Sequence, residues 1–211
     1  MKKSILYLCL FIIWTLFVIY VDVKPLGVCG SSIGLSTINL WVHQSIGVHM
    51  FLYHITDWLG LVAIFICLFF GFLGLFQLIQ RKKLLKVDVD VILLGLYYIL
   101  VILYYIIFET IPINYRPILI NGNMEVSYPS STTLLVLSVM LTFNFQINKR
   151  LTNIKIKKVI LVMANMYTYL MIICRLISGV HWFSDIIGSI LFSMALFSLY
   201  KAFVDHFSKG D

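Results

Sequence analysis

Arg175, His181 and Asp185 stand close together in Cys174-Arg175-Leu176-Ile177-Ser178-Gly179-Val180-His181-Trp182-Phe183-Ser184-Asp185, at the start of a long apolar run. A helix beginning near His181 puts His181 and Asp185 on one face, where the carboxylate can hold the imidazole in a single tautomer. A histidine oriented in this way is a workable nucleophile or base. Arg175 adds a permanent cation suited to phosphate oxygens. A helix N-terminus brings free backbone donors and positive dipole to the same place. Ser184 and Asp185 also suit a plain helix cap, and Trp182 and Phe183 suit a membrane interface. The stretch alone leaves both readings open.

A second polar group lies upstream. Glu109-Thr110-Ile111-Pro112-Ile113-Asn114-Tyr115-Arg116-Pro117 is followed by Tyr128-Pro129-Ser130-Ser131-Thr132-Thr133. Pro117 and Pro129 stiffen the connection. The hydroxyl run opens the next apolar segment, where it serves as an N-cap and equally as a phosphate cradle. Arg116 is either a phosphate ligand or an interfacial charge paired with Glu109 or lipid phosphate.

The elements that must position these residues are membrane spans. The 211-residue chain is 61% hydrophobic and only 12% charged, about half the charged fraction of a soluble domain. Six apolar runs, at about 5–21, 58–80, 91–108, 133–147, 159–174 and 184–204, are long enough or nearly so to cross a bilayer. No repeat or soluble segment interrupts them, so residues 1–211 read as one membrane domain. Lys2 and Lys3 precede an apolar run with no small-residue cleavage site, which predicts an uncleaved first span.

The net charge of +7 raises nucleic acid as a partner, but its placement excludes that class. Thirteen of the sixteen lysines and arginines fall at the termini or between spans two and three and spans four and five; Lys24, Arg116 and Arg175 fall on the other side. This pattern predicts cytoplasmic termini and puts both polar groups on the outer face of the cell membrane. Two arginines and an activated histidine there suggest chemistry on a phosphate whose lipid tail lies in the bilayer.

Residues 22–57 form the longest outer segment, and the mixture from Ser36 to His54 predicts an amphipathic helix lying on the membrane. Its histidines, His43, His49 and His54, are six and five residues apart and do not stack on one face, so no metal site is expected. Cys9, Cys29, Cys67 and Cys174 show neither a C-x-x-C pair nor ligand spacing, and no cofactor is implied. The fold class expected is all-α: an integral membrane six-helix bundle with an amphipathic outer helix between spans one and two.

Taken together these residues resemble the type 2 phosphatidic acid phosphatase superfamily, which includes membrane lipid phosphatases and soluble haloperoxidases. Its pattern is Lys, six residues, Arg-Pro; then Pro-Ser-Gly-His; then Ser-Arg, five residues, His, three residues, Asp. Arg175, His181 and Asp185 match the third part, with Cys174 in place of Ser. Arg116-Pro117 match the first, with Glu109 at the Lys position. Pro129-Ser130 match the second, with Ser131 and Thr132 in place of Gly and His.

The resemblance implies that His181 attacks phosphorus, that Asp185 orients it, and that Arg116, Ser130, Ser131 and Arg175 bind phosphoryl oxygens. The family histidine that protonates the leaving group is Thr132 here, too weak an acid for that work. With Glu109 the site carries +1 where the family pattern carries +3. A lipid phosphatase is the first expectation, and a diphosphate substrate tolerates the missing acid. A phosphotransferase or diester-cleaving enzyme, with Glu109 meeting a cationic headgroup, and a catalytically impaired lipid-binding protein are the alternatives.

Overall fold

The computed structural model describes residues 1–207. Its helices are α1 (Lys2–Tyr20), α2 (Ser36–Ile46), α3 (Met50–Arg81), α4 (Val89–Thr110), α5 (Ser131–Arg150), α6 (Ile154–Ile177) and α7 (Phe183–Phe207). Long apolar runs become helices because hydrocarbon offers no partner for backbone N–H and C=O groups. Among the described residues α1, α3, α4, α6 and α7 are long and apolar enough to cross a membrane. The protein is an all-α, multi-span membrane bundle.

The fourth apolar run, expected as a span over 133–147, is helix α5, and it differs in kind. Its 20 residues reach about 30 Å, but Ser138, Thr142, Asn144 and Gln146 make it much less apolar than its neighbours. The reason is its position. Helices α3, α4, α6 and α7 all pack on it, so its polar side chains face protein. Ser138 Oγ donates to Ser193 Oγ at 3.1 Å, and Ser193 Oγ to the Leu134 carbonyl at 3.3 Å. Ser189 Oγ reaches the carbonyls of Ser130 and Asp185, each at 2.9 Å. Small side chains along this seam let α5 and α7 approach closely. At Gly188 a Cβ would sit 2.7 Å from the Tyr128 ring, so the loop entering α5 is pressed flat onto α7. Tyr128 Oη also meets Thr15 Oγ1 of α1 at 2.8 Å.

The outer segment departs from expectation. Helix α2 stops at Ile46, where Gly47 turns to a φ of 75°, and a new helix starts at Met50. Residues 50–54, expected to belong to the helix lying on the membrane, are instead part of the first turns of the 32-residue α3. From these turns Tyr53, Thr56 and Asp57 reach Arg175.

The other end of the bundle is tied by charge. Asp88 accepts from Arg81 (2.8 Å), Gln77 (2.9 Å) and Arg150 (3.0 Å). Burial pushes the Asp88 carboxyl up, but these donors outweigh it and hold it at about 2. Asp90 pairs with Arg150 at 2.7 Å and Lys149 at 2.8 Å. Tyr200 Oη donates to the Asp90 carbonyl at 3.2 Å. One cluster thus fastens α3, α4, α5 and α7.

Candidate active site

The site is built at the corner between α6 and α7. Helix α6 ends at Ile177, and Gly179 then takes a φ of +67°. That left-handed step is the usual helix stop for glycine. A side chain at 179 would also collide with the Gly47 carbonyl. The α2–α3 connection lies that close, and His49 N–H donates to the Ser178 carbonyl at 2.9 Å.

Two residues on, His181 faces inward. Asp185, in the first turn of α7, accepts the Trp182 N–H at 2.9 Å, half of a capping box. Asn39 of α2 accepts the Ser184 N–H at 3.0 Å and donates to Ser184 Oγ at 2.9 Å. Trp182 Nε1 donates to the Tyr115 carbonyl at 2.7 Å, which docks the α4–α5 loop on this corner.

The imidazole has two neighbours at Nδ1. The Ser127 carbonyl lies at 3.1 Å and Asp185 Oδ2 at 3.5 Å. A carbonyl oxygen only accepts, so Nδ1 carries the proton and Nε2 the lone pair. Nε2 is buried without a protein partner. Burial holds the ring's pKa well below the usual histidine range; Arg175 and Arg116 push the same way, and the Ser127 carbonyl opposes them. The ring is neutral at pH 7, with its lone pair available.

His181 belongs to the wall of a cavity of about 330 Å³. Arg116, Glu109, Glu125 and Ser131 share that wall, with Tyr104, Tyr105 and Phe108 of α4. Arg116 pairs with Glu125 at 3.2 Å, while its Nε and Nη1 are buried and unpartnered. Arg175 donates from Nη1 to Asp57 at 2.8 Å and Thr56 at 3.1 Å, leaving a buried Nε without a partner. The Arg175 and Arg116 guanidinium carbons lie 4.7 and 5.6 Å from the centroid of the Tyr53 ring, so one aromatic side chain of α3 ties both cations to one spot. Four buried polar atoms without partners at one location are a cost that a bound anion removes.

Beside the cavity runs an apolar groove of about 490 Å³ between α3, α4 and α5, lined by Leu61, Ile64, Tyr98, Ile102 and Leu135 among others. Tyr105, Ser131 and Leu134 border both spaces.

Of the residues singled out in the sequence, His181, Arg116, Ser131 and Glu109 line the cavity, Asp185 stands behind His181, and Arg175 is joined to Arg116 through Tyr53. Ser130 does not line the cavity: its Oγ donates to Thr133 Oγ1 at 3.1 Å and its N–H to the Asp185 carbonyl at 3.3 Å, joining α5 to α7. Thr132 lines the apolar groove, turned towards Gly60. Cys174 is a half-buried free thiol on neither wall. The carboxylate paired with Arg116 is Glu125 and not Glu109, which the sequence offers as one alternative, because the 115–126 bridge lays Glu125 across it. Sequence reasoning missed Ser127, Tyr53, Thr56, Asp57 and Glu125. Asp57 alone carried a signal, as a carboxylate bordering a span.

Among the described residues no three His, Cys, Asp or Glu side chains gather as a metal site. The outer histidines are dispersed: the His43 ring lies on Trp182, His49 Nε2 donates to the Ile46 carbonyl, and His54 packs on Tyr53.

Comparison with known proteins bears on this geometry. The model of the PAP2 superfamily matches residues 108–208. The crystal structure of a transmembrane PAP2-type phosphatidylglycerolphosphate phosphatase from Bacillus subtilis superposes with a TM-score of 0.70, covering 98% of each chain at 19% identity. This chain has a PAP2-type fold. No curated protein matches the sequence. The family match runs from the last turn of α4 through α7 and so contains Arg116, Ser131, Arg175, His181 and Asp185. Tyr53, Thr56 and Asp57 lie outside the matched segment.

Proposed function

We propose that this chain is a membrane lipid phosphatase. Its substrate is a lipid phosphate or diphosphate of the phosphatidate, phosphatidylglycerophosphate or polyprenyl diphosphate class, hydrolysed through a phosphohistidine at the outer membrane face. The observation that carries this reading is the set of unpartnered buried atoms, His181 Nε2, Arg116 Nε and Nη1, and Arg175 Nε, beside an apolar groove. The matched PAP2 segment and the likeness to a phosphatidylglycerolphosphate phosphatase support it.

In the first step the Nε2 lone pair attacks phosphorus, the bond from phosphorus to the leaving oxygen breaks, and that oxygen takes the electron pair. The two arginines hold the equatorial oxygens as their charge grows. The imidazole becomes cationic, and its Nδ1–H rests on the Ser127 carbonyl with the Asp185 carboxylate behind it. In the second step water attacks phosphorus, the P–N bond breaks, its pair returns to Nε2, and the water proton leaves with the released phosphate. Among the described residues no histidine besides His181 lines the cavity, which favours a diphosphate, whose phosphate leaving group needs little protonation.

The charge split between the two sides supports cytoplasmic termini. Helix α5 runs from Ser131 at the site to Arg150 in the cluster with Asp88 and Asp90, the length that α4 also covers, which supports a sixth crossing.

Release of inorganic phosphate from a panel of lipid phosphates and diphosphates, by purified protein in detergent, tests the proposal. Turnover of at least one lipid, lost in His181→Ala with an unchanged melting temperature, is expected. No release from any lipid would move the assignment to lipid binding. The carboxylates of the cavity favour a second reading, cleavage or transfer at a phosphodiester with a cationic headgroup.

A further inference from the structure

The wall of the His181 cavity carries more negative charge than its phosphate chemistry uses. Glu109 and Glu125 both face it, against a single cation, Arg116. Arg175 contributes no surplus, because Asp57 neutralises it at 2.8 Å. Glu125 is held by Arg116, but among the described residues no cation lies within ion-pair distance of Glu109. Glu109 also sits in the last turn of α4, where the helix dipole disfavours an anion. A dianion placed alone in this space gains Arg116 and meets two carboxylates.

A ligand that is itself a zwitterion resolves the conflict. Its phosphate fits the end where Arg116 Nε and Nη1 and His181 Nε2 are buried and unsatisfied. Its cation fits the end where Glu109 stands free, flanked by Tyr104, Tyr105 and Phe108. Carboxylate and aromatic faces together are the usual surroundings of a bound ammonium group. A cavity of about 330 Å³ is at the small end of ligand sites, enough for a compact head and not for a lipid chain, which the neighbouring groove serves.

We propose that the cavity binds a phosphate carrying an ammonium substituent, with the ammonium between Glu109 and Glu125. This inference rests on the phosphate reading of His181 and Arg116. The same chemistry belongs to an aminoethyl phospholipid headgroup and to a free phosphoamine.

Calorimetry on the full chain in detergent tests it, with O-phosphoethanolamine against glycerol 3-phosphate, and with micelles of phosphatidylethanolamine against phosphatidylglycerol. The amine-bearing member of each pair should bind about tenfold tighter, the scale of one partly desolvated ion pair. Glu109→Gln, an exposed isosteric change, should erase that preference by weakening O-phosphoethanolamine while glycerol 3-phosphate, relieved of one carboxylate, binds more tightly than to wild type. Tighter binding of the micellar lipid than of the soluble amine supports the proposal with a lipid headgroup as ligand, and the reverse supports it with a free phosphoamine. Equal affinities within both pairs, no measurable binding, or a preference untouched by Glu109→Gln and Glu125→Gln alike would overturn it. Arg116→Ala separates the two levels. If it leaves glycerol 3-phosphate binding intact, the phosphate reading falls and the proposal with it. If it abolishes that binding while wild type shows no amine preference, the cation site alone is overturned.

Discussion

Gly179→Ala is a small change with a calculable cost. Gly179 has a φ of +67°, and a residue with a Cβ pays about 1–2 kcal/mol there. The added carbon would also collide with the Gly47 carbonyl, a backbone atom that no side-chain rotation can move. Forcing the two connections apart adds roughly 1–3 kcal/mol, as for an overpacked core. The loss is therefore about 2–5 kcal/mol, which for a chain of this size lowers the melting temperature by several degrees to about 20 °C. The same separation breaks the bond from His49 N–H to the Ser178 carbonyl and shifts His181 relative to Arg175, which stand on either side of the turn. Phosphate release should fall at least tenfold even well below the new melting temperature, because misplacement by about 1 Å can cost a hundredfold. Differential scanning fluorimetry in detergent and phosphate release at 15 °C measure the two effects. A variant with the wild-type melting temperature and full turnover would show that the 47–48 and 179 connections do not fix the site.

Native His181 stays neutral well below its usual range while the unfolded residue takes a proton near pH 6.5. At this residue the unfolded state thus binds more protons in that window, so the contribution of His181 falls as pH drops from 7 to 5; wild type should lose melting temperature relative to His181→Gln over that range. Thr132→His should not supply a leaving-group acid, because position 132 faces the groove and not His181; rates on a phosphomonoester should rise less than tenfold, and a hundredfold gain would put the side chain in the cavity. Arg150→Met leaves Asp88 and Asp90 each short of a donor. Breaking a buried pair costs about 3–5 kcal/mol, less here because Arg150 is 29% exposed, so about 2–3 kcal/mol should appear in thermal unfolding with the Km for lipid unchanged.

The legible part of the site was the part written in one stretch of chain. Arg175, His181 and Asp185 announce themselves because a helix start turns four-residue spacing into proximity. Yet the nearer partner of His181 Nδ1 is the Ser127 carbonyl, and a backbone oxygen carries no residue-type signal at all. Tyr53, Thr56 and Asp57 were hidden for another reason. Tyr53 falls in the expected surface helix and Thr56 and Asp57 in the outer segment beyond it, and only the step at Gly47, which starts α3 early, turns them towards Arg175. Among the helices, apolar length marked α1, α3, α4, α6 and α7 well. Helix α5 was blurred because a helix enclosed by protein does not need a lipid-facing surface. Glu125 was hidden because only the 115–126 bridge brings it beside Arg116.

Helix α1 lies along α7 as its main partner, with Ser4 Oγ bonded to the Ala195 carbonyl and Trp14 Nε1 to the Ser184 carbonyl across nearly the whole sequence. During synthesis the first helix to leave the ribosome therefore has no place to dock until the last one follows. The nascent chain must shelter α1 in lipid or in the insertion machinery while every other helix is made. Its hydroxyl and indole groups wait without their partners for that time. A chain stalled before α7 is then not a smaller version of the protein but an open bundle, with no Asp185 beside His181 and with α1 unclaimed, the form that membrane quality control is built to recognise.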